Sequence, residues 1–199
     1  MVVLDVETTG LDPEIHGLAS IGAVDFTRPN EYFYGECRIR QGEKVSPQAV
    51  EVNGFTRDDL NDPEKPSTRD LLRDFAAWMD RRTIKVVGGL HIASFDVPFL
   101  TAKAEQTKVP VKLHRRSIDL HTLAYAKMLQ LKRVVPLTDG WSVMDTDFIH
   151  PFCGLPMEPR PLNALNGALW ECESFARLIY GKGKLKKFAK YPVPDYLRS

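Results

Sequence analysis

Met1-Val2-Val3-Leu4-Asp5-Val6-Glu7-Thr8-Thr9-Gly10-Leu11 is the stretch whose reading decides the fold. Its first four residues are an unbroken apolar run, the pattern of a strand buried on both faces. The run delivers two carboxylates, Asp5 and Glu7, two residues apart. Side chains alternate along a strand, so both acids point the same way, ~7 Å apart. Thr8-Thr9-Gly10 then turns the chain away. Like charges at the end of a buried strand repel, and desolvating them is costly unless a cation neutralises them. Hard divalent ions such as magnesium or manganese suit such oxygen ligands. Read alone, the pair also fits two acids at a wet strand end that touch only water.

The remaining pattern is that of an α/β domain on a mixed sheet: an antiparallel meander followed by alternating helices and strands, with helices flanking the sheet. Leu18–Phe26 and Glu31–Arg40 read as two strands joined by a turn at Arg28-Pro29-Asn30. Ser67 or Thr68 caps a helix with Leu71, Leu72, Phe75, Trp78 and Met79 at helical spacing, and Arg81 and Arg82 suit its C-terminus. The β-branched run Thr83 to Val87 predicts a strand that ends at Gly88-Gly89. Asp96 falls in the first turn of the next helix, where Pro98 is tolerated because early amides need no partner. From there its carboxylate either joins Asp5 and Glu7 or only interacts with the helix dipole. A last helix, Asn163 to Tyr180, is expected to bury Leu165, Ala168, Cys172, Phe175 and Ile179.

Composition sets limits. A chain of 199 residues, 43% hydrophobic and 27% charged, holds one good core. The domain is expected over residues 1–180, followed by a basic tail over 181–199. No apolar stretch approaches the ~20 residues of a membrane span, so no membrane partner is expected, and no signal-peptide pattern is present. Cys37, Cys153 and Cys172 show neither metal spacing nor an even disulfide framework, which predicts a cytoplasmic, reducing home. A net charge of +1 names no partner. Nucleic acid would have to be met by local basic patches.

Asp-Val-Glu-Thr-Thr-Gly-Leu, from Asp5 to Leu11, resembles the first motif of the DEDD (DnaQ-like) superfamily of 3′→5′ exonucleases. Gly88 to Leu100 is similar to the family's second motif, Asn-x-x-Phe-Asp-x-x-Phe-Leu, with Ile92 where the asparagine stands. Val45–Thr56 resembles the connection after the family's third strand, and Ile118–Ala124 the start of a later helix. The resemblance implies a ribonuclease H-like fold over about residues 1 to 180. It further implies two magnesium or manganese ions per site, held by acids that include Asp5, Glu7 and Asp96. Thr8, Thr9, Gly10 and Leu11 would form the substrate-binding wall for the last nucleotide of a single-stranded nucleic-acid 3′ end, with Leu11 wedged at the base. A second copy of the chain, or a protein of replication, repair or RNA processing, is the further partner class.

Pro161–Ala168 resembles the third motif but departs from it. The histidine branch has His-x-x-x-x-Asp, whose histidine activates water and whose aspartate is the fourth ligand. Here Leu162 occupies the altered general-base position and Gly167 the aspartate position. The expected substitute acid is Glu171, one turn beyond Gly167 and about 70° from the centre of the apolar face, whereas Glu173 is about 130° away. Structural roles are expected for His91 and His121, and a solvated loop position for His16; His150 is a candidate to rescue the missing base. Phe95 and Phe99 read as core residues. Lys182, Lys184, Lys186, Lys187 and Lys190, with Phe188 and Tyr191 between them, read as phosphate contacts or as a solvated run. The resulting expectation is a metal-dependent 3′→5′ exonuclease with Asp5, Glu7, Asp96 and Glu171 as catalytic ligands. The alternative is an inactive module of the same fold that binds nucleic acid or a protein.

Overall fold

A computed structural model of the chain describes residues 1–198. Strand β1 (Val2–Thr8) pairs antiparallel with β2 (Leu18–Asp25), which pairs antiparallel with β3 (Tyr32–Glu36). Two short helices, α1 (Pro47–Asn53) and α2 (Arg57–Asn61), lead into α3 (Thr68–Asp80), which Ser67 caps by accepting from the Asp70 N–H. Then come β4 (Val87–Gly89), α4 (Asp96–Thr107), β5 (Ile118–Asp119) and α5 (Leu120–Gln130). A small hairpin, β6 (Leu137–Thr138) with β7 (Trp141–Ser142), precedes α6 (Thr146–Phe152) and α7 (Ala164–Tyr180). The five-stranded sheet has the order β3-β2-β1-β4-β5, with β4 parallel to β1 and β5 parallel to β4. This is the mixed sheet that the sequence pattern predicts.

Strand alternation in β1 divides the core. Val2, Leu4 and Val6 pack with residues of α3 and α4, whereas Met1 and Val3 pack with residues of α5, α6 and α7. Asp5 and Glu7 continue the second series, so they face the α7 side of the sheet. There α7 meets the sheet through two glycines, Gly22 of β2 and Gly167 of α7 itself. A β-carbon on Gly22 would overlap the backbone of Ala164, and one on Gly167 would overlap the Asp5 carboxylate. Glycine at both positions lets the helix backbone approach the strands closely enough for its flanking acids to reach the β1 carboxylates.

Three elements differ from expectation. Thr83–Val86 is exposed, and the strand begins only at Val87. Val2 is the first paired residue of β1, and its N–H donates to Val86 C=O, so residues 83–85 lie beyond any neighbour to pair with. The third strand stops at Glu36. Helix α7 is not an amphipathic surface helix: every residue from Trp170 to Leu178 is buried, while Ile179, expected in the core, is 42% exposed. The cause is the tail, which covers the face turned away from the sheet. Phe188 and Leu197 enter the core, and the Phe188 ring stands edge-on to Trp170 at 4.7 Å. The buried Arg177 guanidinium donates to Glu173 Oε1 at 2.8 Å and to the carbonyls of Cys153 and Tyr191. Glu173 Oε2 in turn accepts from the N–H groups of Lys184 and Leu185. Glu173 is thus a structural anchor for the tail.

Candidate active site

Backbone geometry brings the sequence-selected acids together. Asp5 and Glu7 emerge from the centre of the sheet beside α7. Asp96 opens α4, and its Oδ1 accepts from the N–H of Val6 at 3.2 Å, so it is tied to the residue between them. Glu171 reaches from α7 to the end of β4, where its Oε1 accepts from the Leu90 N–H at 3.1 Å. Glu171 and Asp96 are both almost fully buried. A further acid, Glu158, enters from the irregular segment between α6 and α7. No periodicity marks that segment, so nothing in the sequence singles Glu158 out.

Electrostatics bind these groups into one unit. Burial, followed by the charges of Glu7, Glu171, Asp96 and Glu158, pushes the Asp5 carboxyl well above its usual range. Burial and then Glu158 raise Glu7 to about 8, opposed by the Asn53 amide beside it. Asp96 rises to about 7 through burial, although the Val6 N–H holds it down. Burial and then Asp96 raise Glu171. Glu158 stands at about 7, raised by burial and opposed by the Asn163 N–H, Lys187 and Arg160. Desolvation with mutual repulsion is the condition that cations relieve.

The donor set fits hard divalent cations. All its members are carboxylates, and two buried oxygens, Glu171 Oε2 and Glu158 Oε1, have no hydrogen-bond partner. Among the described residues, no three His, Cys, Asp or Glu side chains already converge on one ion position. Instead, Asp96 and Glu171 rest on separate backbone donors, and side-chain rotation is needed to bring them to a shared ion. Gly167 contributes no acid, and a β-carbon there would overlap the Asp5 carboxylate as it stands.

Beside Glu7 lies a cleft of about 490 Å³ walled by Thr8, Gly10, Leu11, Val52, Asn53 and Phe95. Leu11 stands 82% exposed at its lip. The buried Thr9 hydroxyl donates to Lys44 C=O at 2.6 Å and accepts from Gly17 N–H at 2.7 Å, pinning the turn. Asn53, also missed in the sequence, donates to Thr8 C=O at 3.0 Å and steadies the cleft floor. Phe99 is core, but Phe95 is half-buried and faces the cleft. Leu162 is half-buried and lines an adjoining cleft with Tyr34, Phe55 and Lys65; Asn53 borders both clefts, and the Leu162 N–H donates to Val52 C=O at 3.1 Å.

None of the histidines read in the sequence provides the missing base. His91 is exposed, with its ring 5.4 Å from that of His121, which pairs with Ser142 Oγ. His16 packs against Gly10 and holds the Asp12 backbone. His150 is fully buried with Nδ1 2.9 Å from Ser174 Oγ, and burial pushes its pKa down to about 4. It is therefore neutral and shut off from solvent. Its contribution to stability is full above about pH 6.5 and is lost as pH falls through 6.5 toward 4, because only the unfolded chain takes up the proton there. Urea titrations at pH 7.5 and 4.5 should show wild type losing roughly 3 kcal/mol more than His150→Asn. Equal losses would show that His150 is protonated in the folded chain.

Known proteins share this architecture. The family model described as Exonuclease (RNase T) matches residues 2–142. DNA polymerase III PolC-type of Thermotoga petrophila is 31% identical over 181 residues, covering 89% of this chain and 12% of that protein. DNA polymerase III subunit epsilon of Buchnera aphidicola is 32% identical over 138 residues, covering 64% of this chain and 54% of the relative. The zinc-bound form of the E. coli exonuclease I–single-stranded DNA complex superposes with a TM-score of 0.68 at 14% identity, covering 89% of this chain and 39% of that one. The chain thus spans only part of each of these proteins. With the family model covering most of the chain and a polymerase relative 31% identical over 89% of it, the chain belongs to the RNase T exonuclease family of the DEDD, DnaQ-like type with a ribonuclease H-like fold.

Proposed function

We propose that the chain is a metal-dependent 3′→5′ exonuclease that removes nucleotides from single-stranded ends, with DNA favoured by the polymerase relatives. The carrying observation is the tie between Asp96 and the N–H of Val6, the residue between Asp5 and Glu7. Asp5, Glu7, Asp96 and Glu171 would hold two magnesium or manganese ions, which supply charge neutralisation for the attacking and leaving oxygens of a phosphodiester. The protein positions the reacting groups. Val6 N–H orients Asp96, Leu90 N–H orients Glu171, and Asn53 steadies Glu7. The cleft would take the terminal nucleotide, with its base between Leu11 and Phe95. Exposed lysines of the tail, among them Lys187, which donates to Asn166 Oδ1 on α7 at 3.1 Å, offer phosphate contacts along the strand.

A module that binds without turnover is the second reading, favoured by the missing acid at Gly167. One assay separates the two. With manganese, a 5′-labelled single-stranded oligonucleotide should shorten in single-nucleotide steps, and a 3′-labelled one should release its label at once as a mononucleotide. Binding without either product favours the second reading.

Leu11→Ala tests the cleft. Losing the apolar contact at the lip removes part of the ~1.5–3 kcal/mol that a fully buried leucine contributes. KM should rise about tenfold with kcat nearly constant, as expected when binding is lost equally in ground and transition states. An unchanged KM would place the terminal nucleotide elsewhere.

A further inference from the structure

Helix α4 carries one wall of the nucleotide cleft and grips the other. Phe95, at its N-cap, lines the cleft, and Phe99 and Lys103 follow at intervals of four, on one face of the helix. The Phe99 ring lies 5.8 Å from that of Phe95, and Lys103 Nζ sits 5.5 Å from the centre of the Phe99 ring. The Lys103 side chain is fully buried, a position that a lysine occupies only when its charge is paired. Its Nζ donates to Glu43 Oε1 at 2.6 Å and to Gln106 Oε1 at 3.3 Å, and the Glu43 side chain is buried as well. Both partners lead to the opposite wall, the turn between Thr8 and Gly17 that presents Leu11. Glu43 Oε2 accepts from Arg40 N–H at 2.8 Å and lies beside Gly17, where a β-carbon would stand 2.9 Å from it. The next residue, Lys44, donates its N–H to Ile15 C=O at 2.7 Å and accepts the Thr9 hydroxyl on its own C=O. Gln106 Nε2 donates to Pro13 C=O at 3.1 Å, and Gln106 Oε1 also accepts from the Arg40 guanidinium at 2.8 Å. One buried ammonium therefore touches the support of Phe95 on one side and the support of the Leu11 turn on the other.

We propose that the buried Lys103–Glu43 pair is a positioning device: it sets the spacing of the two cleft walls, and with it the grip on a terminal base between Leu11 and Phe95. This rests on the exonuclease reading. A buried ion pair adds little to folding by itself, because desolvation offsets much of its attraction, and apolar residues of similar volume often serve folding as well. What apolar residues do not reproduce is direction. The pair holds the Glu43 carboxylate so that its second oxygen takes the Arg40 N–H, which fixes the segment behind the Leu11 turn. Lys103 lies about two turns along α4 from Asp96, and Asp96 has its own tie to the Val6 N–H. The pair therefore acts on the cleft and leaves the acids in place.

The full chain, manganese and a 5′-labelled single-stranded DNA oligonucleotide test the assignment. Lys103→Met strands the Glu43 charge and should melt below wild type, whereas Lys103→Met combined with Glu43→Leu should regain most of that loss. Both should raise KM about tenfold with kcat within about threefold of wild type, and both should keep the melting shift that manganese produces. Gln106→Ala, at a half-buried position, carries the comparison if neither variant folds, and its KM should rise about threefold. The grip on the base is read directly with calcium in place of manganese, as the ratio of Kd values for an oligonucleotide with an abasic 3′ residue and for the intact one. Wild type should favour the intact end about tenfold, and the double variant less than about threefold. A double variant that regains stability together with wild-type KM and wild-type end preference overturns the proposal and leaves the pair a contact of the fold alone. Loss of the manganese shift alongside the rise in KM also overturns it, since the pair would then act on the acids. If wild type cleaves nothing yet favours the intact end, the exonuclease reading falls, and the end preference of the double variant still decides the role of the pair. If wild type cleaves without favouring the intact end, the cleft does not hold the base and the proposal falls alone.

Discussion

Asp5→Asn is expected to reduce cleavage by about 10³-fold or more and to abolish the rise in melting temperature that manganese produces in wild type. The magnitude follows from losing several kcal/mol of charge stabilisation at the reacting phosphate, with each 1.36 kcal/mol worth about tenfold. Asp5 is the acid that the charges of Glu7, Glu171, Asp96 and Glu158 all press upon. Neutralising it removes the member around which the others are arranged. The metal response carries its own pH dependence. Folding raises Glu7 to about 8 and Asp96 to about 7, so the folded chain binds more protons than the unfolded one above the ordinary carboxylate range. The stability from these groups is present below their unfolded pKa and is lost as pH rises through 7 to 8. Without metal, wild type should therefore melt lower at pH 8 than at pH 5.5. Manganese should restore more at pH 8, because it binds only the folded, ionised cluster. Asp5→Asn without metal should melt above wild type at pH 8. A variant that keeps the manganese shift would rule out Asp5 as a ligand.

Gly167→Asp would return the acid that the family carries at this position, yet it is expected to damage the protein. The new β-carbon would overlap the Asp5 carboxylate, and α7 could retreat only by separating from Gly22, where Ala164 already touches β2. Overpacking of this kind costs typically ~1–3 kcal/mol, and a further like charge beside Asp5 adds to it, so the loss should reach about 4 kcal/mol. For a domain of this size the melting temperature would fall by roughly 8–16 °C, and activity should not rise. Gly167→Ala separates the two causes, since it has the overlap without the charge and should lose about half as much. A Gly167→Asp chain as stable as wild type and more active would show that α7 moves freely over the sheet, and that Gly167 is a lost ligand position.

The first motif was legible in the sequence because it depends on local rules. An apolar run, two acids at strand spacing and a glycine turn predict a central strand whose carboxylates share a face, and β1 has that form. Asp96 was legible for a similar reason, since a helix start is marked by its neighbours. Glu171 could be placed by helical angle, because one turn of α7 links it to Gly167. Glu158 could not, since an irregular segment has no period from which direction can be read. The surroundings of Thr9 and Phe95 were not legible because exposure depends on neighbours: Thr9 donates to Lys44 C=O, and Phe95 packs on the core while the cleft opens beside it.

The mixed-sheet class, the carboxylate pair and the family were determined by the sequence itself. Each rests on patterns a few residues long or on a motif that recurs intact. Only the tertiary structure decided what surrounds α7. Helical periodicity measures apolar character around a single axis, and it places Glu173 and Arg177 on a polar face. The tail then covers that face, and the buried pair satisfies its charges with carbonyls from residues 153 and 191 and amides from 184 and 185. The environment of Gly167 was likewise decided by contact between distant segments. A glycine in a helix reads as a missing side chain, whereas against Asp5 it is what lets helix and strand meet closely enough to gather the acids.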